Sequence, residues 1–270
     1  MLEKKYFFIS GLFRSGNTVL SSILNQNPDV YVSPLSPLID YMWECHNDNF
    51  VHSETFPNKK NKENMISGMI KNFYQDINSP VIFDRSKAWA NPANVEMIKK
   101  YIDKKPKIIF TVRPLHECLA SHINIMKDTL VRYMNHDISN KAFLYNNKIS
   151  LNDNIAEHLL LTSHYKIYNF AYTSFKNDID KKIIHLVKYE ELLKNPDKTL
   201  ESIYNFLELD NFVHDFNNIK IKEKELDVKE NNPKNLHKVR EKIESSNLDP
   251  YSILSKDIIQ ECKKIDFFYK

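Results

Sequence analysis

The chain of 270 residues is 42% hydrophobic, which supplies one sizeable core and does not require a second, so we expect a single domain over residues 1–270. A formal net charge of +3 excludes a globally basic surface for nucleic acid, and any anion site must therefore be local. The three cysteines form no CxxC pair, and the apolar run near the N-terminus is too short for a signal peptide or a membrane span. These features predict a cytoplasmic protein with no disulfide framework, no zinc site, no membrane span and no nucleic-acid partner.

Buried-type strands alternate with helices along the chain. The predicted elements, in chain order, are a strand at residues 6–10, helices at 18–25, 35–46 and 62–77, a strand at 81–83, a helix at 92–102, a strand at 107–112, a helix at 151–175, a strand at 182–187, and helices at 195–206 and 251–264. This alternation predicts an α/β, P-loop-like three-layer fold, in which helices flank a mostly parallel sheet and ligands bind at the carboxyl ends of the strands. A polar charge run at residues 220–235 predicts an exposed loop.

The first predicted strand and helix are joined by residues 11–18, Gly-Leu-Phe-Arg-Ser-Gly-Asn-Thr, which hold two of the three glycines of the chain. Glycines let backbone N–H groups close around an anion, and the following helix points its positive end at the same place. The spacing is that of a phosphate loop. Asn17 replaces the Lys that would reach the β- and γ-phosphates of a nucleoside triphosphate, which disfavours ordinary kinase or NTP-hydrolysis chemistry.

A second anion site is predicted where the strand at 107–112 ends in Arg113-Pro114. Pro114 suits the first turn of a helix, and Ser121 lies two turns into that helix. The fork-shaped guanidinium of Arg113 and the hydroxyl of Ser121 could bind one phosphate together. The two sites predict a ligand with anionic groups at two separated ends.

Five segments carry a family resemblance. They read FISGLFRSGNTVLSSILNQNP, FDRSKAW, FTVRPLHECLAS, VKYEELLKNPDKTLESIYNFL and LHKVREKIE, and they span almost the full chain. The set resembles the sulfotransferases that use 3′-phosphoadenosine 5′-phosphosulfate (PAPS), most of all the bacterial branch with an Arg-Ser-Gly loop, which is related to the tyrosylprotein sulfotransferases. The resemblance implies transfer of a sulfuryl group from PAPS to a hydroxyl or amine, with release of 3′,5′-ADP and no need of a metal.

The resemblance also assigns residues to the cofactor. The 5′-phosphosulfate is expected to contact the loop residues Phe13, Arg14, Ser15, Gly16, Asn17 and Thr18. Arg14 stands where many relatives have a Lys that supports the departing phosphate oxygen, and Arg85 where relatives place a second cation near the transferred group, so both are predicted to be catalytic. Lys87 competes with Arg85 for this role.

Five further cofactor contacts follow from the same resemblance. Arg113 and Ser121 match the 3′-phosphate site, and Tyr189 matches a tyrosine near the cofactor, although a packed aromatic at a helix start is an equally good interpretation. Lys238 and Arg240 match a late basic segment, and we expect residues 220–245 to form a loop that covers the cofactor. Trp89 is expected either to line the acceptor pocket or to belong to the hydrophobic core.

The catalytic base is missing from its expected place. Tyrosylprotein relatives carry a Glu after the first helix, whereas residues 32–37 here contain no carboxylate. This makes peptide tyrosine a less favoured acceptor than a glycan, a lipid-linked molecule or a small molecule. The substitute bases that the sequence offers, each more simply interpreted as structural or solvated, are Asp40, Glu44, His46, His52, His116 and His122.

Two alternatives to the sulfotransferase remain open. An atypical P-loop kinase would need Mg²⁺ held by Thr18 and an acidic strand end such as Asp84. A non-catalytic nucleotide-binding protein of the same fold would explain the absent Glu. The sequence predicts neither the acceptor nor the oligomeric state.

Overall fold

The computed structural model describes residues 3–47, 59–136, 149–161, 163–178, 182–222, 239–245 and 247–269. Five parallel strands form one sheet in the order β2-β3-β1-β4-β5. Their bounds are Lys5–Gly11 (β1), Val30–Leu35 (β2), Val81–Arg85 (β3), Ile108–Val112 (β4) and Ile184–Lys188 (β5). The parallel α/β sheet predicted from the alternation of elements is confirmed.

Four of these strands agree with the prediction, and β2 was missed. Its sequence, VYVSPL, mixes apolar residues with a serine and a proline and therefore lacks the continuous apolar signal of a buried strand. Proline is tolerated at the edge of a sheet, where its missing N–H is not needed, and β2 is an edge strand. The helix predicted from residue 35 begins only at Leu38, because Leu35 is the last residue of β2.

Helices cover both faces of the sheet. Their bounds are Asn17–Leu24 (α1), Leu38–Asn47 (α2), Lys59–Phe73 (α3), Pro92–Tyr101 (α4), Leu115–His136 (α5), Leu151–Leu161 (α6), Ser163–Asn177 (α7), Tyr189–Lys194 (α8), Pro196–Leu207 (α9) and Lys256–Ile265 (α10), with a 3₁₀ turn at Pro250–Ser252. The predicted helix at 151–175 corresponds to α6 and α7, which pack against each other. No helix in the described ranges is both long and apolar enough to cross a membrane.

The core has two halves, one on each side of the sheet. Along β1, Phe8 packs on one face with Ile82 and Phe110, while Phe7 and Ile9 pack on the other. Because successive side chains of a strand point to opposite faces, a strand buried on both faces is apolar throughout. Burial of both faces of the sheet by helices gives the three layers of the fold. Polar side chains of the strands are therefore concentrated at the strand ends.

The register brings three strand ends together at one edge of the sheet. Ile9 of β1 lies beside Arg85 of β3, and Gly11 lies beside Thr111 of β4. The start of α5 is fastened by Asp266, whose Oδ2 accepts a hydrogen bond of 2.9 Å from the Leu115 N–H. The loop after β1, the end of β3 and the first turns of α5 therefore surround one place, at the N-terminus of α1.

Candidate active site

The loop between β1 and α1 presents backbone donors. Helix α1 begins at Asn17, its N-cap is Gly16, and no side chain caps it. The first N–H groups of a helix lack intrahelical partners and sit at the positive end of the helix dipole. The loop therefore has the geometry of an anion site, as its glycine spacing predicted.

Both loop glycines are needed because other groups approach them closely. Gly16 has φ 97°, and a Cβ at this position would lie 2.6 Å from Cδ2 of Tyr189. A Cβ on Gly11 would lie 2.2 Å from Oγ1 of Thr111. A side chain at either position would push the loop away from β4 or from the start of α8.

Two of the predicted cofactor residues turn their side chains inward and lock this loop. Asn17 accepts a hydrogen bond of 2.9 Å from Oγ1 of Thr111 at Oδ1, and its Nδ2 donates to the Leu12 carbonyl at 3.2 Å. Ser15 Oγ lies 2.8 Å from the same carbonyl and 2.6 Å from Thr111 Oγ1. An anion would therefore meet Ser15 and Asn17 through their backbone, and Asn17 stabilises the loop where a Walker Lys would extend from it.

Arg14 has an unusual backbone and a long-range contact. Its φ of 64° lies in the left-handed region, where a residue with a side chain is strained by about 1–3 kcal/mol. Its Nε donates to Oγ of Ser121 at 3.2 Å, and its carbonyl accepts from Nη1 of Arg113 at 3.4 Å. Burial, and then the charge of Arg113, lower the pKa of Arg14. The residues predicted for the two ends of the ligand thus touch each other.

Arg113 is held from two sides. Its Nε donates to Oε2 of Glu117 at 2.9 Å, one turn into α5, and its guanidinium carbon lies 4.7 Å from the centre of the Tyr189 ring. An aromatic ring attracts a cation that lies against its face, so Tyr189 stabilises the position of the Arg113 guanidinium. Glu117 was not predicted as a site residue, although its spacing of four residues from Arg113 is the signal that could have identified it.

Arg85 occupies the other side of α1. It is 6% exposed, its Nη1 donates to Oγ1 of Thr18 at 3.3 Å, and burial lowers its pKa to about 10. Its backbone N–H donates to Oγ of Ser33 at 3.0 Å, which ties the ends of β2 and β3 together. A pocket lined mostly by polar residues opens beside it, and the lining residues are Thr18, Ser21, Ser22, Asn25, Val32, Ser33, Pro34, Arg85, Ile221 and Lys222.

Lys87 reaches back over the loop. Its Nζ lies 3.1 Å from the centre of the Phe13 ring, and burial, followed by the charge of Arg85, lowers its pKa to about 7. His122 meets the same ring edge-on, with ring centres 5.3 Å apart. Burial, and then the charges of Lys87 and Arg14, lower the pKa of His122 to about 4. Phe13 thus contacts both an amine and an imidazole.

Asp84 is fully buried and uses both carboxylate oxygens. Oδ2 accepts from the hydroxyls of Ser36 and Tyr74, each at 2.6 Å, and Oδ1 accepts from Nε1 of Trp89 at 2.7 Å. Trp89 is itself fully buried in the core. The Mg²⁺ site of the kinase alternative does not fit this arrangement, because Asp84 is occupied by donors and Thr18 accepts from Arg85. Within the described ranges no His, Cys, Asp and Glu side chains gather into a group that could hold a metal ion.

Other predicted residues that the structure describes have their contacts elsewhere. Asp40 and Glu44 are exposed on α2, and Nδ1 of His46 lies 2.8 Å from the Tyr101 hydroxyl. The exposed Arg240 donates to the carbonyl of Ser245 at 2.7 Å and forms an ion pair of 3.5 Å with Glu244, both within its own segment. Two predicted residues, His52 and Lys238, lie outside the described residues, as does much of the expected covering loop.

Comparison with known proteins identifies the family of the chain. A sequence model of the sulfotransferase family matches residues 7–214, which include the loop, Arg85, Arg113 and Tyr189. A sulfotransferase domain from the curacin biosynthetic pathway is 16% identical over 78% of this chain and 76% of its own, with a TM-score of 0.50, a likeness of fold. The sulfotransferase of Alicyclobacillus acidocaldarius is 16% identical over 80% of this chain and 85% of its own, with a TM-score of 0.49. No curated protein matched the sequence. The chain therefore belongs to the sulfotransferase family.

Proposed function

We propose that the protein transfers a sulfuryl group from PAPS to a hydroxyl or amine of an acceptor and releases 3′,5′-ADP. Membership of the family supports sulfuryl transfer in general. The observation that carries the choice of donor is the contact of Arg14 with Ser121, together with that of Arg113 with the Arg14 carbonyl. These contacts join the phosphate loop to the second cation site in one continuous surface, as a donor with a 5′-phosphosulfate and a separate 3′-phosphate requires.

In this proposal the loop amides and the positive end of α1 bind the 5′-phosphosulfate. Arg113 and Ser121 bind the 3′-phosphate, and the ring of Tyr189 holds the Arg113 guanidinium in place. As the bond between sulfur and the bridging oxygen breaks, its electron pair moves to the 5′-phosphate, and Arg14 stabilises the charge that develops there. Arg85, between Thr18 and the polar pocket, is the second catalytic cation.

Several finer points belong to the same proposal. We assign the chain to the bacterial branch with an Arg-Ser-Gly loop, as one cytoplasmic domain over residues 1–270 in which Lys238 and Arg240 cover the bound donor. A glycan, a lipid-linked molecule or a small molecule is favoured over peptide tyrosine as acceptor. The reason is that Ser33 and Ser36, in the stretch where tyrosylprotein relatives carry their Glu, bond to the ends of β3 and supply no base.

Calorimetric titration tests the donor. We expect the full chain to bind 3′,5′-ADP with EDTA present, and to bind 5′-AMP, which lacks the 3′-phosphate, far more weakly. Transfer is then followed with ³⁵S-labelled PAPS and a panel of alcohols, phenols, amines and glycans. Equal affinity for the two nucleotides would contradict the proposed 3′-phosphate site. Binding of ATP that depends on Mg²⁺ would favour the kinase, and tight 3′,5′-ADP binding without turnover on any acceptor would favour a non-catalytic protein.

A further inference from the structure

Sulfuryl transfer to a neutral hydroxyl needs a group that removes a proton, and of the predicted bases His122 contacts the loop, through the Phe13 ring. In the part of the chain that the structure describes, the carboxylates nearest the loop are already engaged. Asp84 accepts from Ser36, Tyr74 and Trp89, and Glu117 accepts from Arg113. Among the described residues beside the loop, the remaining candidates for the base are therefore side chains of another type.

Lys87 is held at the face of the loop by two contacts. Its carbonyl accepts a hydrogen bond of 2.7 Å from Oγ of Ser10, the residue of β1 that precedes the phosphate loop. Its side chain crosses to Phe13 within that loop, where Nζ is 3.1 Å from the ring centre. The amine is thus fixed beside the loop that would hold the transferred group, and on the same side as Arg85.

The surroundings of Lys87 favour a neutral amine and still accept an ammonium. The groups that face it are Arg85 from the end of β3, His122 from α5 and the Phe13 ring from the loop, and no carboxylate among the described residues pairs with it. Burial and the charge of Arg85 disfavour the ammonium, which is why the pKa of Lys87 falls to about 7. The aromatic face stabilises the ammonium once it forms.

We propose that Lys87 is the catalytic base, a role that rests on the proposed function. The neutral Nζ takes the proton of the acceptor hydroxyl as the acceptor oxygen bonds to sulfur. The bond from sulfur to the bridging oxygen breaks, and its electron pair stays on the 5′-phosphate beside Arg14. The products are the sulfated acceptor, 3′,5′-ADP and the Lys87 ammonium, which loses its proton to solvent before the next turnover.

His122 is the rival for this role, because its ring also contacts Phe13, edge-on, with ring centres 5.3 Å apart. Its pKa of about 4, lowered by burial, Lys87 and Arg14, makes it too weak a base to hold a proton at neutral pH. Lys87 and His122 can be separated by experiment, since His122→Asn leaves the amine in place.

The decisive test compares acceptors of different acidity in the wild type, Lys87→Met, Lys87→Arg and His122→Asn. At pH 8, p-nitrophenol is largely ionised and needs no base, whereas benzyl alcohol does, and water serves as the acceptor in PAPS hydrolysis if neither is used. We expect Lys87→Met to lose about 10²–10⁴-fold in kcat/KM with benzyl alcohol or water and far less with p-nitrophenol. The wild-type inflection near pH 7 should disappear in this variant and persist in His122→Asn, and 3′,5′-ADP affinity should stay within about threefold in all variants.

Lys87→Arg keeps the positive charge and removes the basicity, so it should be as impaired as Lys87→Met with the alcohol. More than a tenth of the wild-type rate in Lys87→Arg, or an equal loss with both acceptors, would show that Lys87 acts as a cation and would overturn the proposal.

Competitive labelling of the amine with acetic anhydride, read out by mass spectrometry, gives the pKa of Lys87 without any turnover. A midpoint near 7 supports the proposal, and one above about 9 overturns it. Failure of the wild type to bind 3′,5′-ADP would instead overturn the proposed function.

Discussion

Two cationic regions flank the start of α1, and they differ in how their charge is held. On the β4 side, Arg113 has a carboxylate partner in Glu117, and it is linked through the Arg14 carbonyl to Arg14 and Ser121. On the β3 side, the described neighbours of Lys87 are the Phe13 ring, the imidazole of His122 and another cation, Arg85. The first arrangement keeps cations charged for a permanently ionised ligand, whereas the second lets an amine change its protonation. Four predictions test this contrast, in order of decreasing effect.

The largest effect is expected from Arg14→Ala, because this change removes the cation that faces the developing charge. We expect kcat to fall about 10²–10³-fold, the size found when one preorganised donor to such a charge is lost. Single-turnover transfer from PAPS measures this, and Arg14→Lys, which keeps a charge without the fork, should recover part of the rate. A rate near that of the wild type in Arg14→Ala would remove Arg14 from the chemistry.

Arg113→Ala is expected to have a smaller effect, and the quantity that it lowers is the affinity for 3′,5′-ADP. Removing one charge-assisted phosphate contact should make the binding free energy of 3′,5′-ADP less favourable by about 1.5–3 kcal/mol, measured by calorimetry. Lys99→Ala is the matched control, since Lys99 is a surface cation paired with Glu96 on α4. If both variants lost the same affinity, the effect would be one of net charge and the 3′-phosphate assignment would fail.

Gly16→Ala tests whether Tyr189 closes the loop. The new Cβ would stand 2.6 Å from the ring at a φ of 97°, so we expect the free energy of unfolding to fall by about 1–3 kcal/mol. Gly68→Ala in α3 is the matched control, because its Cβ would meet only Asn72 Nδ2 at 3.6 Å and should stabilise the helix by about 0.5–1 kcal/mol. Urea unfolding measures the free energy of unfolding of both variants. An equal change in the two would contradict the packing described for Gly16.

The smallest effect concerns the change in the free energy of unfolding between pH 7 and 8, where a difference of one bound proton is worth at most about 1.4 kcal/mol. The folded pKa of Lys87, about 7, lies below its unfolded value of about 10.4, so the unfolded chain binds more protons between these limits. Lys87 should therefore make the free energy of unfolding rise with pH from about 7 upwards. Lys87→Met should flatten this rise relative to the wild type, measured by urea unfolding at several pH values. An identical slope in both proteins would mean that Lys87 titrates normally.

The sequence predicted the parts of the site that depend on local pattern. The loop after β1 and Arg113 were predicted because glycine spacing and an Arg-Pro at a strand end are local signals, and the family match includes both. The Arg14 to Ser121 contact spans 107 residues, and the inward turn of Asn17 depends on Thr111 in a neighbouring strand. Such contacts depend on strand order and register, which local pattern does not encode.

Lys87 was visible in the sequence only as one more cation near a strand end. Its chemistry depends on burial beside Phe13 and Arg85, and burial of a single lysine is a property of the packed chain. The role of Asp84 was equally hidden, because its three donors, Ser36, Tyr74 and Trp89, come from the residues that follow β2, α3 and β3.

The inward bonds of Asn17 have an evolutionary consequence. Replacing Asn17 by Lys would restore the Walker pattern on paper, yet it would remove the acceptor of the Thr111 hydroxyl and the donor to the Leu12 carbonyl. A lineage that drifted towards triphosphate use would have to rebuild the neighbouring strand together with the loop. The two phosphate-loop chemistries are thus separated by coordinated substitutions, and the barrier between them lies in the support of the loop.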